Sequence, residues 1–395
     1  MLHLRNERWV LRYLQSYGDF KGNHSLAIGI GMVEAIRHRM EQELRAMTTP
    51  GPRMADQAAC VISVLLAIAL AQMAGARMVS WAAVSALVLL KSDTLETLTR
   101  GVMRMIGTTA GAGLALLIMP LAAHSLAMAS LSAALAGAMG LYGMLTGRRA
   151  YAWLLFGLTF EIILFDKLAH PHLDTLELAR TRLIEVGAGT VACVIVSLGA
   201  ALLSGSDWLV NRKPRPDRMR WNAQAARHAA QAGLALALLP PLYALTRLPE
   251  MAGAAITIIA VMIVPVAGLG QSGLVPVSRR LLHRAIGCIT GGLLAIAVLL
   301  FADGSPALIV AGTCIGLMIG RYLETGGSAT NYIGLQFSIA LLMALVPDSY
   351  RSADPGMAMD RLIGIMAGMA LLEPVLLAWH FIAARLPHGR AHAHT

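Results

Sequence analysis

After residue 55 the chain is a succession of long apolar runs separated by short charged or turn-forming stretches. The runs are apolar all round rather than striped, the pattern of helices whose outer faces meet lipid or other helices. Twelve such runs can be drawn. In the first half they cover about 57–75, 77–90, 98–119, 125–146, 150–166 and 182–204. In the second half they cover about 228–245, 251–268, 283–302, 306–322, 330–346 and 361–384. A spanning helix takes about 20 apolar residues. The run at 77–90 falls short of that and reads as a half-helix or a tilted one.

Residues 1–55 have another pattern, with charge spread from Arg5 to Arg45. Trp9, Tyr13 and Tyr17 share one helical face beside Arg5, Arg8 and Arg12. Val33, Ile36, Met40 and Leu44 form a second amphipathic stretch, with Arg37–Glu41 and Glu41–Arg45 at i, i+4. Thr48-Thr49-Pro50-Gly51-Pro52 ends it. This is not the pattern of a signal peptide. It reads as a cytosolic leader lying on the membrane surface, or as a docking arm for another subunit.

Composition supports a bilayer as the solvent. Hydrophobic residues make up 57% and charged residues 14%, and mean hydropathy is +0.64. These values exclude a disordered, collagen-like or ordinary soluble chain. The net charge of +10 raises the question of nucleic acid. The cations, however, lie in patches between apolar runs, not on one soluble surface, so no nucleic-acid partner is expected. With the N-terminus inside and the runs alternating, 25 of the 32 Lys and Arg fall on the cytosolic side and 7 on the other. That bias places both termini in the cytoplasm. Cys60, Cys193, Cys288 and Cys314 lie singly inside apolar runs, without metal-ligand spacing. His388, His392 and His394 read as a solvated tail rather than a metal tract, so no metal or cofactor is expected.

An internal repeat sets the architecture. Arg100, Arg104, Gly107 and Gly111 recur as Arg280, Arg284, Gly287 and Gly291, each shifted by 180 residues. Arg182-Leu-Ile and Gly189 recur as Arg361-Leu-Ile and Gly368, shifted by 179. The chain therefore reads as an all-α membrane protein of about 12 transmembrane helices in two parallel six-helix repeats. A pseudo-two-fold axis along the membrane normal would relate them. The expected divisions are a leader at 1–55, repeats at 56–204 and 223–385, a basic cytosolic linker at 205–222 and a tail at 386–395. Small residues four apart, including Gly316/Gly320 and Gly364/Gly368, fit close helix packing in lipid.

The Arg-x-x-x-Arg-x-x-Gly-x-x-x-Gly unit resembles the fusaric acid resistance / aromatic acid exporter family. So do the segments beginning at Trp81, Tyr151, Arg182 and Asn331, and the likeness covers about residues 55–385. The resemblance implies a bacterial inner-membrane efflux protein for aromatic carboxylic acids, working with a periplasmic adaptor and an outer-membrane channel. A distant similarity to plant aluminium-activated malate channels points to organic anions as well. Two features depart from the family: the joint between the halves is short, and Lys91 stands where an uncharged polar residue followed by proline is usual.

Ionisable groups at membrane depth are the functional candidates. Arg100 and Arg104 share a helix face, as do Arg280 and Arg284. Brought together at the axis, four guanidiniums would draw in carboxylates, which arginine can hold bidentately. Otherwise they anchor to lipid headgroups. Gln336 can hydrogen-bond a substrate or a neighbouring helix. Glu161, Glu185 and Glu373, the last beside Pro374, are candidates to carry protons. No nucleotide-binding or catalytic motif occurs, so the chain reads as a proton-coupled exporter and not an enzyme. A passive anion channel and a non-transporting envelope scaffold are the alternatives, and a homo-oligomer is open to all three. The topology makes a direct prediction. A C-terminal green fluorescent protein fusion fluoresces, and alkaline phosphatase is active when inserted after His170 but inactive at the C-terminus. The reverse pattern would overturn the orientation.

Overall fold

Three of the described helices start at a polar side chain that satisfies their first amide groups: Asp93, Ser125 and Asn222. Asp93 caps one of them, accepting from the amides of Leu95 and Glu96 at 2.9 and 3.3 Å. That helix runs Thr94–Ala122, so Arg100 and Arg104 lie within it. The computed structural model describes residues 51–91, 93–204, 221–269, 273–326, 330–348 and 350–385. The expected leader up to residue 50, linker residues 205–220 and the histidine-bearing tail at 386–395 lie outside the described residues.

Among the described residues all regular structure is helical. The first half contains α1 (Pro52–Met73), α2 (Val79–Leu89), α3 (Thr94–Ala122), α4 (Leu126–Thr146), α5 (Ala150–Ala169) and α6 (Thr175–Ser204). The second half contains α7 (Ala223–Ala237), α8 (Leu239–Thr246), α9 (Met251–Val261), α10 (Leu274–Ala302), α11 (Pro306–Gly326), α12 (Asn331–Leu345) and α13 (Pro355–Arg385). Two apolar runs differ from their expected form, and proline is the reason. The run at 228–245 breaks at Leu238, where Pro240 and Pro241 lack amides and restart the chain as α8. The run at 251–268 stops being α-helical at Val261. After Pro265 only a 3-10 turn, Val266–Gly268, follows.

Eight described helical segments are long and apolar enough to cross a membrane: α1, α3, α4, α6, α7 with α8, α10, α11 and α13. α2 and α9 have 11 residues each. At about 1.5 Å per residue they reach only about half of a 30 Å hydrocarbon core. Both are wrapped by other helices, and every residue of α2 except Trp81 and Val88 is buried. The outer surface is apolar instead, with Leu117, Leu135, Val191, Leu293, Ile315 and Phe381 all exposed. Large outward leucines with arginines inside are the inverse of a soluble fold.

The interior forms two principal apolar clusters, and both draw on the two halves of the chain. In one, α4 and α5 pack with α7 and α9 through Ala133, Phe160, Leu236 and Ile258. In the other, α11 and α12 pack with α1 and α2 through Leu317, Leu341, Val64 and Leu87.

Glycine sets the helix spacing. A side chain at Gly107 or Gly111 would strike the carbonyls of Ala152 and Phe156 on α5. One at Gly287 or Gly291 would strike those of Ile333 and Phe337 on α12. Gly189 meets Ala82 on α2 in the same way, and Gly368 meets Ala254 on α9. Backbone is the obstacle at each, so no rotamer change relieves the clash. Gly291→Leu is expected to destabilise the protein by about 3 kcal/mol or more, read as a lowered Tm in detergent. Gly113→Ala on the same kind of helix meets nothing within 4 Å and should leave Tm unchanged.

Candidate functional site

The glycine contacts bring one arginine of each long helix into the interior. Arg104 is 7% exposed and Arg284 4%. Arg104 donates from Nη1 to the Tyr151 hydroxyl at 2.6 Å and from Nη2 to Ser85 Oγ at 2.9 Å. Its Nε has no hydrogen-bond partner. Arg284 donates to Thr257 Oγ1 from Nε at 3.2 Å and Nη2 at 3.0 Å, and from Nη1 to Gln336 Oε1. Ser85 and Thr257 each donate their own proton to the carbonyl four residues back, Trp81 and Gly253, at 2.6 and 2.7 Å. Their free lone pairs therefore face the guanidiniums.

Neither buried arginine has a carboxylate within 4.0 Å among the described residues, and every partner is neutral. A buried cation without a counter-charge is costly. The other arginine of each pair stacks on a tyrosine at the start of the facing helix. Arg100 lies 5.3 Å from the Tyr151 ring centroid and Arg280 4.1 Å from that of Tyr332. Arg100 also pairs with Glu96 at 3.1 Å. The contacts of Arg104 stay among α2, α3 and α5, and those of Arg284 among α9, α10 and α12. The two buried arginines thus belong to two three-helix clusters of matching design.

The candidate acids have three different surroundings. Glu161 on α5 is fully buried, and neither carboxyl oxygen has a hydrogen-bond partner. Its Oε1 faces Gly137 of α4. Glu185 is fully buried as well but well held: Oε2 accepts from Arg182 at 3.0 Å and Oε1 from the Met78 amide at 3.0 Å. Glu373 is half-buried and accepts from Ser278 Oγ at 2.9 Å. α13 runs on through Pro374.

Sequence reasoning missed three ion-pair systems. Arg182 pairs with Asp166 at 2.7 Å and stacks 4.9 Å from the Trp81 ring. Arg361 lies 3.7 Å from Glu250. Arg321, near the end of the run at 306–322, is 3% exposed within α11. It donates to both oxygens of Asp56 at 2.7 and 2.9 Å and to Glu324 at 3.0 Å. Lys91, just beyond α2, lies 3.9 Å from Glu324. Burial pushes its ammonium below the usual lysine range, against the pull of Glu324. The local signals were the i, i+3 spacings Arg182–Glu185 and Arg321–Glu324 and charge at the edges of apolar runs, and neither says which edges meet.

Buried arginines enclosed by helices with apolar outer faces define a multi-pass membrane protein. The sequence profile of the family described as fusaric acid resistance protein-like matches residues 66–196 and 234–372, most of the chain. The chain belongs to that family, whose members are membrane transporters, and its apolar helices are those of a transporter-type protein. No curated protein and no solved structure matches it.

The Arg321–Asp56 bridge is expected to carry stability. Asp56→Ala leaves a buried guanidinium short of its main partner and should cost about 3 kcal/mol, seen as a lowered Tm. The double variant Asp56→Leu with Arg321→Met should recover much of that loss. A neutral single variant would show that the bridge contributes little.

Proposed function

We propose that the protein is a secondary exporter of small organic carboxylates, aromatic ones among them, across the bacterial inner membrane. The single observation that carries this reading is the pair Arg104 and Arg284, buried among neutral partners only. Such a site offers a transiting anion the counter-charge role that the protein leaves unfilled. Arg100, Arg280 and Gln336 complete the substrate-binding set. Family membership supports a transport role.

Twelve segments in two parallel six-helix repeats, with both termini cytoplasmic, form the proposed frame. The family match in two stretches, one in each half, supports the repeat. So does the recurrence of the arginine, tyrosine and glycine contacts at offsets of 180 and 181 residues. The leader at 1–55, the linker at 205–222 and the tail at 386–395 would lie on the cytosolic side. A periplasmic adaptor, an outer-membrane channel and a second copy of the chain are proposed partners.

Proton antiport is the proposed coupling, with Glu161 as the first candidate. A fully buried carboxyl without a partner is tolerated best as the neutral acid, so ionising it requires a change of surroundings. Glu185 and Glu373 are the further candidates.

Uptake of labelled p-hydroxybenzoate into inverted vesicles, with an imposed proton gradient switched on and off, tests the reading. Gradient-dependent accumulation is expected, falling at least 10-fold in Arg104→Gln and Arg284→Gln at normal protein level. Glu161→Gln should abolish accumulation but allow equilibration. Equilibration alone in the wild type would make the protein a passive anion channel. Unchanged uptake in the arginine variants would remove the arginine role, and no uptake of any acid would favour the scaffold.

A further inference from the structure

At one place Arg321 and Glu324 of the second half stand at positions that the first half fills with core. A cavity of about 490 Å³ lies at the start of α12, lined by Lys91, Arg321, Glu324, Asn331, Tyr332 and Leu335 among others. That volume is in the range of small-molecule sites, about 300–1,000 Å³. Positions 180 residues before Arg321 and Glu324 are Leu141 and Met144. Positions 181 before Tyr332 and Leu335 are Tyr151 and Leu154. Leu141 is fully buried, Leu154 is 9% exposed, and Met144 packs on the same cluster. The arginine–tyrosine stack is thus common to both halves, while Arg321 and Glu324 have no charged counterparts in the first. The helices can evidently be closed here with leucine and methionine. A buried arginine and its glutamate in their place cost desolvation that packing does not require.

The charges are also unequally held. Glu324 is held by Arg321, which Asp56 also grips with both oxygens. Lys91 has Glu324 only at 3.9 Å, too far for a hydrogen bond, and Nζ donates to no described atom. Arg280 stacks on Tyr332 with Nε buried and unpartnered, and it forms no ion pair with a described carboxylate. The lining itself carries Lys91 and Arg321 against Glu324, and Asp56 pairs with Arg321 from outside the lining. Tyr332 and Leu335, three residues apart on α12, supply an apolar wall.

We infer that this cavity binds a small aryl monocarboxylate, its carboxylate on Lys91 and its ring against Tyr332 and Leu335. The identity of the ligand rests on the export reading above. The site is distinct from the buried arginines and holds the acid before it reaches them. Arg321 and Asp56 position Glu324 and keep it from neutralising Lys91 fully.

Photolabelling of the full chain in detergent with 4-benzoylbenzoate tests the site. Labelled peptides should map to residues 322–345 and to the Lys91 loop. Benzoate should compete, whereas benzamide and inorganic phosphate should not. Lys91→Gln should lower the yield at least 10-fold, and Lys91→Arg should restore it to within about threefold. Leu335→Trp, which fills the cavity and keeps the charge, should also block labelling. Labelling elsewhere, no labelling, equal yield in Lys91→Gln, or equal competition by phosphate or benzamide would each overturn the assignment. Vesicle uptake reads the export proposal separately. A labelled cavity in a protein that moves no acid would keep the site and remove the transport role. Uptake without a labelled cavity would do the reverse.

Discussion

Close approach of helix backbones is the constraint on which the other features depend. In lipid, apolar side chains gain little by leaving the solvent, so helices associate through contact and hydrogen bonding. α3 and α10 meet α5 and α12 at Gly107, Gly111, Gly287 and Gly291, where any Cβ would strike a carbonyl. The short helices α2 and α9 meet α6 and α13 at Gly189 and Gly368. Without these contacts the arginine-bearing helices would stand too far from Ser85, Tyr151, Thr257 and Gln336 for their guanidiniums to be satisfied. The glycines are therefore as much a part of the site as the arginines they admit.

The interior sorts its charges by their partners. Arg182 and Arg321 have carboxylates in hydrogen-bond range, and each ties separate helices together. Those arginines act as struts. Arg104 and Arg284 are met by hydroxyls and an amide, which orient a guanidinium without neutralising it. Glu161 shows the same imbalance with opposite sign, a carboxyl sealed in an apolar cluster with nothing to hold it. Burying such groups without counter-charge costs stability.

The two apolar clusters join the halves. Each takes helices from both halves, α4 and α5 with α7 and α9, then α11 and α12 with α1 and α2. The halves are interlocked rather than laid side by side. The short helices α2 and α9 each contribute residues to one of these clusters. Glu250 and Met78, at the starts of these two helices, touch Arg361 and Glu185. Their ends are thus tied to ionisable groups.

The sequence by itself determined the all-helical membrane class, the position of nearly every helix and the family. Hydropathy is a local property, and lipid leaves a chain few other ways to satisfy its backbone. It also marked the arginines, the glycines and Glu161, because charge and missing side chains stand out in apolar runs. Local pattern misjudged the segments at 228–245 and 251–268 only where Pro240, Pro241 and Pro265 withdrew amides. Tertiary structure alone decided which charges meet. Asp56 and Arg321 are 265 residues apart, and nothing near either announces the other. It alone added the Met78 amide to Glu185, whose i, i+3 spacing from Arg182 is legible in the sequence, and left Glu161 with no partner. It alone distinguished a filled interior at Leu141 from an open cavity beside Arg321. Pairing and packing are set by which helix faces meet in space, and a one-dimensional pattern carries the faces but not their neighbours.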